Sequence, residues 1–151
     1  MNILDFKSLL AKSEFTPKEV LEVLAKDEDC SIRMHIAQNP ETPKEILKIL
    51  AKDKNLYVRE SVSKNPKIPK EILGILAKDK DWRIRMFVLS NKNISKDILK
   101  SLSKDKDSVV RASVAQNLNA PKEILEVLAK DEKIYVRNFA KKNLFAKALK
   151  I

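Results

Sequence analysis

The sequence predicts an all-α fold built from stacked copies of a two-helix repeat. The first observation is a period of 26 residues, present five times without an insertion, because a fixed period of this length is typical of stacked repeat architectures. The second is composition: a single Gly and 34% charged residues suit helices, and no alternating β-branched run indicates a hairpin. The third is an apolar share of 44%, which can fill a core buried between neighbouring copies.

Residues 1–16 are predicted to be a half-repeat that caps the first copy. They align with the second helix of that copy, so that Phe6 and Leu10 take the places of core isoleucines and Lys7 takes the place of an arginine. A terminal repeat needs an outer face that tolerates water. We therefore expect the outer face of this segment to be more polar than the inner copies.

Five tandem copies then occupy residues 17–146, followed by a tail at residues 147–151, in a single domain. The copies start at Pro17, Pro43, Pro69, Ser95 and Pro121. The apolar residues that follow Asn143 are expected to cover the open end of the last core layer. A partner-binding or dimerising role for them is the alternative.

The first helix of each copy begins at its Pro, which suits a first helical position because its missing N–H would be unpaired there. In copy 1 Thr16 is expected to cap the helix, with Glu19 completing a capping box. The helix is predicted to run to about Lys26, with Leu21 and Leu24 on its core stripe.

The second helix is predicted to be short, spanning two to three turns. Asp29 is a favoured N-cap residue, echoed by Asn55, Asp81 and Asp107, whereas Lys133 breaks the pattern. Asn39-Pro40 ends the helix, because Pro disfavours helix in the residue before it. Short runs also favour 3₁₀ geometry, which we expect as an alternative over part of this segment.

An Asp and an Arg recur six residues apart in every copy. The Asp series is Asp27, Asp53, Asp79, Asp105 and Asp131. The Arg series is Arg33, Arg59, Arg85, Arg111 and Arg137. Constant spacing favours a charge-assisted pair, within a copy or with the next one, at least half buried. An arginine row that binds phosphate is the disfavoured alternative, because each Arg is matched by an Asp.

An Asn recurs six residues after each Arg. The series is Asn39, Asn65, Asn91, Asn117 and Asn143. An Asn just past a helix end can adopt a left-handed conformation or bond local carbonyls. We interpret this series as structural, not as a ligand-binding row.

The sequence of the copies resembles known repeat families. The copies read Pro-Lys-Glu-Ile-Leu-x-x-Leu-Ala-Lys-Asp and then Val-Arg-x-x-Val-Ala-x-Asn-Pro, which resembles the leucine-rich repeat variant and is similar to HEAT repeats, including the phycobilisome-lyase type. The resemblance covers Pro17 to about Asn143 and implies a right-handed α-solenoid that binds proteins. Some leucine-rich repeat variant proteins add an N-terminal cysteine cluster for iron–sulfur, which this sequence lacks. One HEAT-like DNA-glycosylase group suggests DNA, but no catalytic residue matches.

One Cys and one His restrict the chemistry. Cys30 alone cannot form an intrachain disulfide, and a zinc or iron–sulfur site needs three or four N/S ligands. We expect no cofactor, no metal and no enzyme activity, with His35 packed at the edge of the core. The reducing chemistry implied by one Cys predicts a cytoplasmic protein. No apolar run approaches a membrane span, and Met1–Leu10 does not read as a signal peptide.

The net charge of +10 is unevenly distributed. Copy 1 has three cationic and six anionic side chains, whereas copy 2 has seven and three. Outer positions that are Glu in copy 1 become lysines in the middle copies. The predicted phosphate-binding residues are Lys48, Lys54, Lys80, Lys100 and Lys106. A solvated helix face with Glu/Lys pairing is the favoured alternative.

The outward positions of the second helix vary strongly between copies. Trp82, Arg83 and Met86, flanked by Tyr57 and Tyr135, form the best predicted contact strip, because aromatic and Arg anchors dominate binding energy at protein interfaces. Partial burial of Trp82 between repeats is the alternative. The predicted partner-binding residues are Tyr57, Lys64, Trp82, Arg83, Met86, Tyr135 and Lys142.

These observations predict a non-enzymatic binding scaffold. The expected partner is a protein or peptide that docks on the second-helix face, and the positive charge of the chain admits an acidic one. Nucleic-acid binding through the basic middle copies is the alternative function. We expect no membrane partner and a monomeric protein.

Overall fold

The computed structural model describes residues 2–149 and is all-α in this range, without a strand. Its helices are α1 (Ile3–Lys12), α2 (Lys18–Leu24), α3 (Cys30–Gln38), α4 (Lys44–Leu50), α5 (Leu56–Ser63), α6 (Lys70–Leu76), α7 (Trp82–Val88), α8 (Lys96–Leu102), α9 (Ser108–Gln116), α10 (Lys122–Leu128) and α11 (Ile134–Ala148). The prediction of an all-α fold of repeated helix pairs is confirmed.

The chain folds as two compact units, Met1–Leu76 and Ala77–Ile151. In the first unit the second helices stack in chain order, so that α3 lies between α1 and α5. In the second unit α9 lies between α7 and α11 in the same way. Each first helix covers the second helix of its own copy where both belong to one unit. The predicted boundaries at residues 16 and 146, the single domain and the handedness stay predictions.

The core of each unit consists of the recurring aliphatic positions. In the first unit the fully buried residues include Leu21, Ile32, Ile36, Leu47, Leu50, Val58 and Val62. In the second unit they include Ile84, Val88, Leu99, Leu102, Val110, Val114, Leu125 and Val136. The periodic aliphatic pattern therefore identifies the core correctly, because each copy buries its apolar stripe against its neighbours.

The first helices begin differently from the prediction. Pro17 occupies the N-cap of α2 without a side-chain cap bond, and the hydroxyl of Thr16 instead donates to the carbonyl oxygen of Leu10 at 2.6 Å. Thr42 donates to Ile36 in the same way. The predicted Thr cap is therefore wrong: this residue binds the end of the preceding helix. In copy 4, Ser95 does cap its helix, accepting from the N–H of Ile98.

The first helices also end earlier than predicted. α2 ends at Leu24, after which the N–H groups of Lys26 and Asp27 donate to Val23 and Leu24 at 3.0 and 3.1 Å. These are bonds to the third residue back, the pattern of a 3₁₀ turn. The second helices are α-helical over their bounds but end in the same way, since after α7 the N–H groups of Ser90 and Asn91 donate to the carbonyl oxygens of Phe87 and Val88. The tight geometry expected over part of the second segment is therefore present at its end, as it is after the first helices.

The predicted N-caps of the second helices are confirmed. The side chains of Asp29, Asn55, Asp81 and Asp107 each accept from the N–H two residues on, whereas Lys133 makes no cap bond. α11 spans 15 residues and continues through Asn143, whereas α9 ends before the equivalent Asn117. The absence of a following Pro does not account for this difference, because Asn117 is also followed by a non-Pro residue, Leu118. Residues 147 and 148 of the predicted tail belong to the helix, and residues 150–151 lie outside the described range.

The outer face of α1 is more apolar than expected of a cap. Ile3, Leu4, Phe6 and Leu9 are 76%, 46%, 45% and 60% exposed. In the inner copies the equivalent of Phe6 is packed by helices on both sides, whereas the main neighbours of α1 among the described residues are α2 and α3. The expectation of a more polar outer face is therefore wrong.

Candidate binding surfaces

The recurring Arg and Asp join consecutive copies. Arg33 donates from Nε and Nη2 to the two carboxylate oxygens of Asp53, 20 residues on, at 2.7 and 3.0 Å. Its Nη1 donates to the carbonyl oxygen of Asp27 at 2.7 Å. The side chains of Arg33 and Asp53 are only 7% and 9% exposed. Of the two pairings that the spacing left open, the structure has the one with the next copy, and the expected burial is confirmed.

The same bidentate pair recurs in the second unit. Arg85 binds Asp105 at 2.6 and 2.7 Å, and Arg111 binds Asp131 at 2.6 and 3.0 Å. Each of these arginines also directs Nη1 to the carbonyl oxygen six residues back. We call this series of pairs between copies the Arg–Asp ladder.

Lys7 starts the ladder in the half-repeat. Its Nζ lies 2.6 Å from Oδ2 of Asp27, the carboxylate that in later copies receives an arginine. The alignment of Lys7 with the Arg series is therefore confirmed. The pair is less buried than the inner ones, with the Lys7 side chain 39% exposed.

The carboxylates of the ladder are ionised and fully engaged. Burial by itself raises the pKa of Asp53, but hydrogen bonds from Arg33 and from the N–H of Asn55 outweigh it and lower the pKa. Asp105 has the same balance of burial against hydrogen bonds, and its pKa is also lowered. The hydrogen bond from Arg111 is the main cause of the lowered pKa of Asp131. None of these groups has the raised pKa that a general acid would need.

Arg137 is the last arginine of the ladder and has no carboxylate partner among the described residues. Its Nη1 donates to the carbonyl oxygens of Asp131 and Glu132 at 2.7 and 3.1 Å, which repeats the anchoring of the inner arginines. No Asp or Glu follows Glu132 in the sequence. Arg137 is partly buried, whereas the inner arginines are buried.

The recurring Asn joins copies in a second way. Asn65 donates from Nδ2 to the carbonyl oxygens of Ala37 and Asn39 at 2.8 and 3.0 Å, and its Oδ1 accepts from the N–H of Lys67. Asn39 has an extended backbone with φ −64° and ψ 124°. The expectation of a left-handed residue or of local carbonyl bonds is therefore wrong, while the structural interpretation of the series holds.

The only His and the only Cys of the chain do not form a reactive pair or metal site. Nδ1 of His35 lies 3.2 Å from the hydroxyl of Ser8, and burial lowers the pKa of His35, with a contribution from Lys12. Cys30 is a partly buried free thiol. Within residues 2–149 no group of three His, Cys, Asp or Glu side chains could hold a metal ion.

The first unit contains two of the predicted partner-binding residues. Tyr57, near the start of α5, is 59% exposed. Lys64 is exposed and lies 2.6 Å from the carboxylate of Glu60, one turn back. Tyr57 is therefore an accessible aromatic residue on a second helix of this unit.

The second unit contains the other five, which differ in exposure. Trp82 and Tyr135 are 38% and 39% exposed, and Arg83 is exposed and pairs with Asp81 at 2.7 Å. Lys142 is exposed, whereas Met86 is partly buried. Met86 is thus a less accessible member of the predicted strip than the residues at the helix start.

Apolar residues extend the exposed surface around Trp82. Val109 and Ile134 are 40% and 63% exposed and lie, like Trp82, in the first turns of the stacked helices α7, α9 and α11. The hydroxyl of Tyr135 donates to that of Ser108 at 2.5 Å, which joins α11 to α9 at this level. We call this surface the aromatic patch; it consists of Trp82, Arg83, Val109, Ile134 and Tyr135.

The five predicted phosphate-binding lysines are all exposed. Within the described residues none of their ammonium groups has a hydrogen-bond or ion-pair partner. Lys48 lines a groove of about 220 Å³ between α4 and α6 of the first unit. Lys100 lines a groove of about 450 Å³ between α8 and α10, beside Ile124 and Val127. Lys54, Lys80 and Lys106 lie in the turns between the helices of their copies.

The sequence interpretation missed exposed apolar residues on the first helices. Val23, Ile49 and Val127 occupy equivalent positions and are 71%, 61% and 63% exposed. The signal was available, because each directly precedes a buried Leu, and two adjacent helical residues point about 100° apart, so a narrow core stripe does not bury both.

In comparisons with known proteins, no family model and no curated protein matches this chain. The resemblance to leucine-rich repeat variant and HEAT repeats therefore depends on the repeat residues themselves. Among the described helices, none is both long enough and apolar enough to cross a bilayer.

Proposed function

We propose that this protein is a non-enzymatic binding scaffold of the leucine-rich repeat variant or HEAT-like type, and that a protein or peptide partner docks on the aromatic patch. The observation that supports the proposal is the exposure of Trp82, Val109 and Ile134 in the first turns of three stacked helices, α7, α9 and α11. The side chains of the recurring Asp, Arg and Asn are engaged in hydrogen bonds between copies. A binding function therefore depends on the residues that vary between copies.

The chemistry of the patch suits a protein partner. Trp, Tyr and Arg supply most of the energy at protein interfaces. Trp82 is 38% exposed, so that part of the ring is held by the fold while part is accessible, which reduces the entropy lost on binding. Arg83 follows Trp82 in the sequence and is held by Asp81 through Nε and Nη2 at 3.0 and 2.7 Å, so it adds a fixed, charge-matched guanidinium to the patch.

The experiment compares capture of a partner from a lysate of the source organism by the wild-type protein and by Trp82→Ala. We expect Trp82→Ala and Tyr135→Ala to lose the partner with little change in the melting temperature. Val127→Ala is the matched control, because it removes an exposed apolar side chain from a first helix. Equal capture by all variants, or unfolding by Trp82→Ala, would contradict docking on the patch.

Trp82 also provides a direct signal, because it is the only Trp of the chain. Burial of the ring by the partner should shift its fluorescence emission to shorter wavelength. A captured partner that leaves this emission unchanged binds elsewhere on the protein.

The second candidate function is nucleic-acid binding, favoured by the five exposed lysines without ion-pair partners. Each phosphate contact contributes a slope of about −0.9 to the logarithm of affinity against the logarithm of salt concentration. Replacement of Lys100 and Lys106 by Gln should reduce the magnitude of that slope by about 2. The same replacement of Lys130 and Lys133 is the control. Absence of any binding to a labelled duplex at low salt eliminates this candidate.

A further inference from the structure

Three arginines of the Arg–Asp ladder share one arrangement. In Arg33, Arg85 and Arg111 the Nη1 group is held by main-chain carbonyl oxygens of the same copy. The opposite edge, Nε with Nη2, receives both oxygens of an aspartate from the next copy at 2.6–3.0 Å. This edge is therefore a built receptor for a carboxylate in Arg33, Arg85 and Arg111.

Arg137 has the first half of this arrangement without the second. Its Nη1 is held by the carbonyl oxygens of Asp131 and Glu132 at 2.7 and 3.1 Å, as in the inner copies. No described carboxylate binds its other edge. A guanidinium fixed on one side has lost much of its conformational freedom already, so a carboxylate binds it at a lower entropic cost than it binds a free Arg side chain.

The surroundings of Arg137 favour an anion. Five lysines and no acidic residue follow Glu132 in the sequence, and Lys133, Lys141 and Lys142 on or beside α11 are exposed. An exposed apolar side chain lies on the same helix, since Phe145 is 67% exposed. A positive and partly apolar end of a repeat stack fits an acidic protein segment.

We propose that Arg137 is the receptor for an aspartate of another protein, which binds at the end of α11 as the next copy would. The inner copies specify the ligand: Asp131, which binds Arg111, also accepts from the N–H of Lys133 through Oδ1 at 2.9 Å. The ligand is therefore an aspartate that follows a helix and whose carboxylate also accepts a hydrogen bond from the N–H two residues further on. This site differs from the aromatic patch and does not require it.

A second copy of this chain does not supply the aspartate by simple stacking. The position that lies one period before Asp27 is residue 1, which is Met. Stacking of a second copy in the register of the repeat therefore places no Asp against Arg137.

The test uses the full chain and a labelled peptide with the sequence of residues 121–133, which contains the aspartate of copy 5. A matched peptide has Asn in place of that Asp. We expect the Asp peptide to bind about ten- to hundredfold more tightly in fluorescence anisotropy, the range of hydrogen bonds to a charged group. Arg137→Lys should abolish most of the difference, because an ammonium cannot form the bidentate pair. Lys78→Ala, which removes an exposed lysine of copy 3, should preserve it.

The proposal is overturned if the two peptides bind the wild-type protein equally, or if neither binds at about 1 mM. It is also overturned if Arg137→Lys retains the full preference for Asp. Displacement of the peptide by inorganic phosphate, at a phosphate concentration that supplies no more negative charge than the peptide does, would assign the site to phosphate instead. A sedimentation coefficient that rises with protein concentration for the wild type, but not for Arg137→Lys, would assign the site to a second copy of this chain. Trp82→Ala should leave peptide binding unchanged, which separates this test from that of the aromatic patch.

Discussion

Arg33 and Asp53 belong to different copies and form two hydrogen bonds of 2.7 and 3.0 Å while both are more than nine-tenths buried. The pair fixes the distance and rotation between neighbouring copies, because a planar guanidinium donates two parallel hydrogen bonds to a carboxylate only when the two groups lie in one plane. The invariant charges of the sequence are therefore stacking residues.

Arg85→Ala should reduce the free energy of unfolding by about 3–5 kcal/mol, because it leaves the buried carboxylate of Asp105 without its partner. Arg137→Ala is the matched control. This variant removes the same side chain at a position where no described carboxylate loses its partner. The free energy of unfolding should therefore fall by less than about 1 kcal/mol. Urea unfolding measures both. A loss below about 1 kcal/mol for Arg85→Ala would contradict the structural role of the ladder.

Stability should decline in acid as the ladder is protonated. The folded-state pKa values of Asp53, Asp105 and Asp131 are lowered, whereas an unfolded Asp titrates near about 3.9. The unfolded state thus binds more protons between these values, and stability rises with pH there. The contribution is complete above about pH 4–5 and is lost as the pH falls through the folded-state values.

Urea unfolding between about pH 5 and pH 2 measures this dependence. Asp105→Asn should show a shallower decline than the wild type, because it removes one titrating group. Asp107→Asn, which retains an N-cap side chain, is the control. Parallel curves for wild type and Asp105→Asn would contradict the assignment.

Asn65→Ala should cost about 1–3 kcal/mol for each buried acceptor left unpaired. Its amide serves the carbonyl oxygens of Ala37 and Asn39, and Asn65 is only 1% exposed. Asn117→Ala is the comparison, because Asn117 is partly exposed and has one such bond, to Leu89 at 2.8 Å. Chemical denaturation should rank the two losses in this order, and the reverse order would refute the account of the Asn series.

Lys133→Asn should stabilise the protein by about 0.5–2 kcal/mol, the value of an N-cap side chain. Lys133 occupies the N-cap of α11 without a cap bond, whereas Asn55 at the equivalent position of α5 accepts from the N–H of Tyr57 at 2.8 Å. The measurement is the midpoint of thermal or urea unfolding. Asn55→Lys should produce the opposite change, and equal stability of Lys133→Asn and wild type would contradict the capping assignment.

The period predicts the order of elements and the core, because stacked copies repeat both. It does not determine which Asp each Arg binds, since an Arg lies six residues after one Asp and 20 before the next. The structure resolves this through the forked guanidinium, which directs Nη1 to the main chain of its own copy and the other edge to the next. Thr16 was misassigned for a related reason, because its hydroxyl has a helix start and a helix end within reach and binds the end.

The candidate site was less predictable than the fold. Whether a variable residue such as Trp82 or Met86 is exposed depends on the size of its neighbours in the adjacent copies, which periodicity does not report. Trp82 and Tyr135 are accessible, and Met86 is less so. Val109 and Ile134 join them only because three helices start at one level of the stack.

The ladder connects each copy only to its immediate neighbours, and every pair spans the same 20 residues. Removal or duplication of a whole 26-residue period inside one unit therefore leaves a complete set of Arg–Asp pairs on both sides of the junction. Because these pairs join only neighbouring copies, such a chain can gain or lose whole copies in evolution by unequal exchange, and the core between the remaining copies is unchanged. The number of copies is consequently not fixed by the contacts between them, and the exposed surface can grow or shrink by whole repeats.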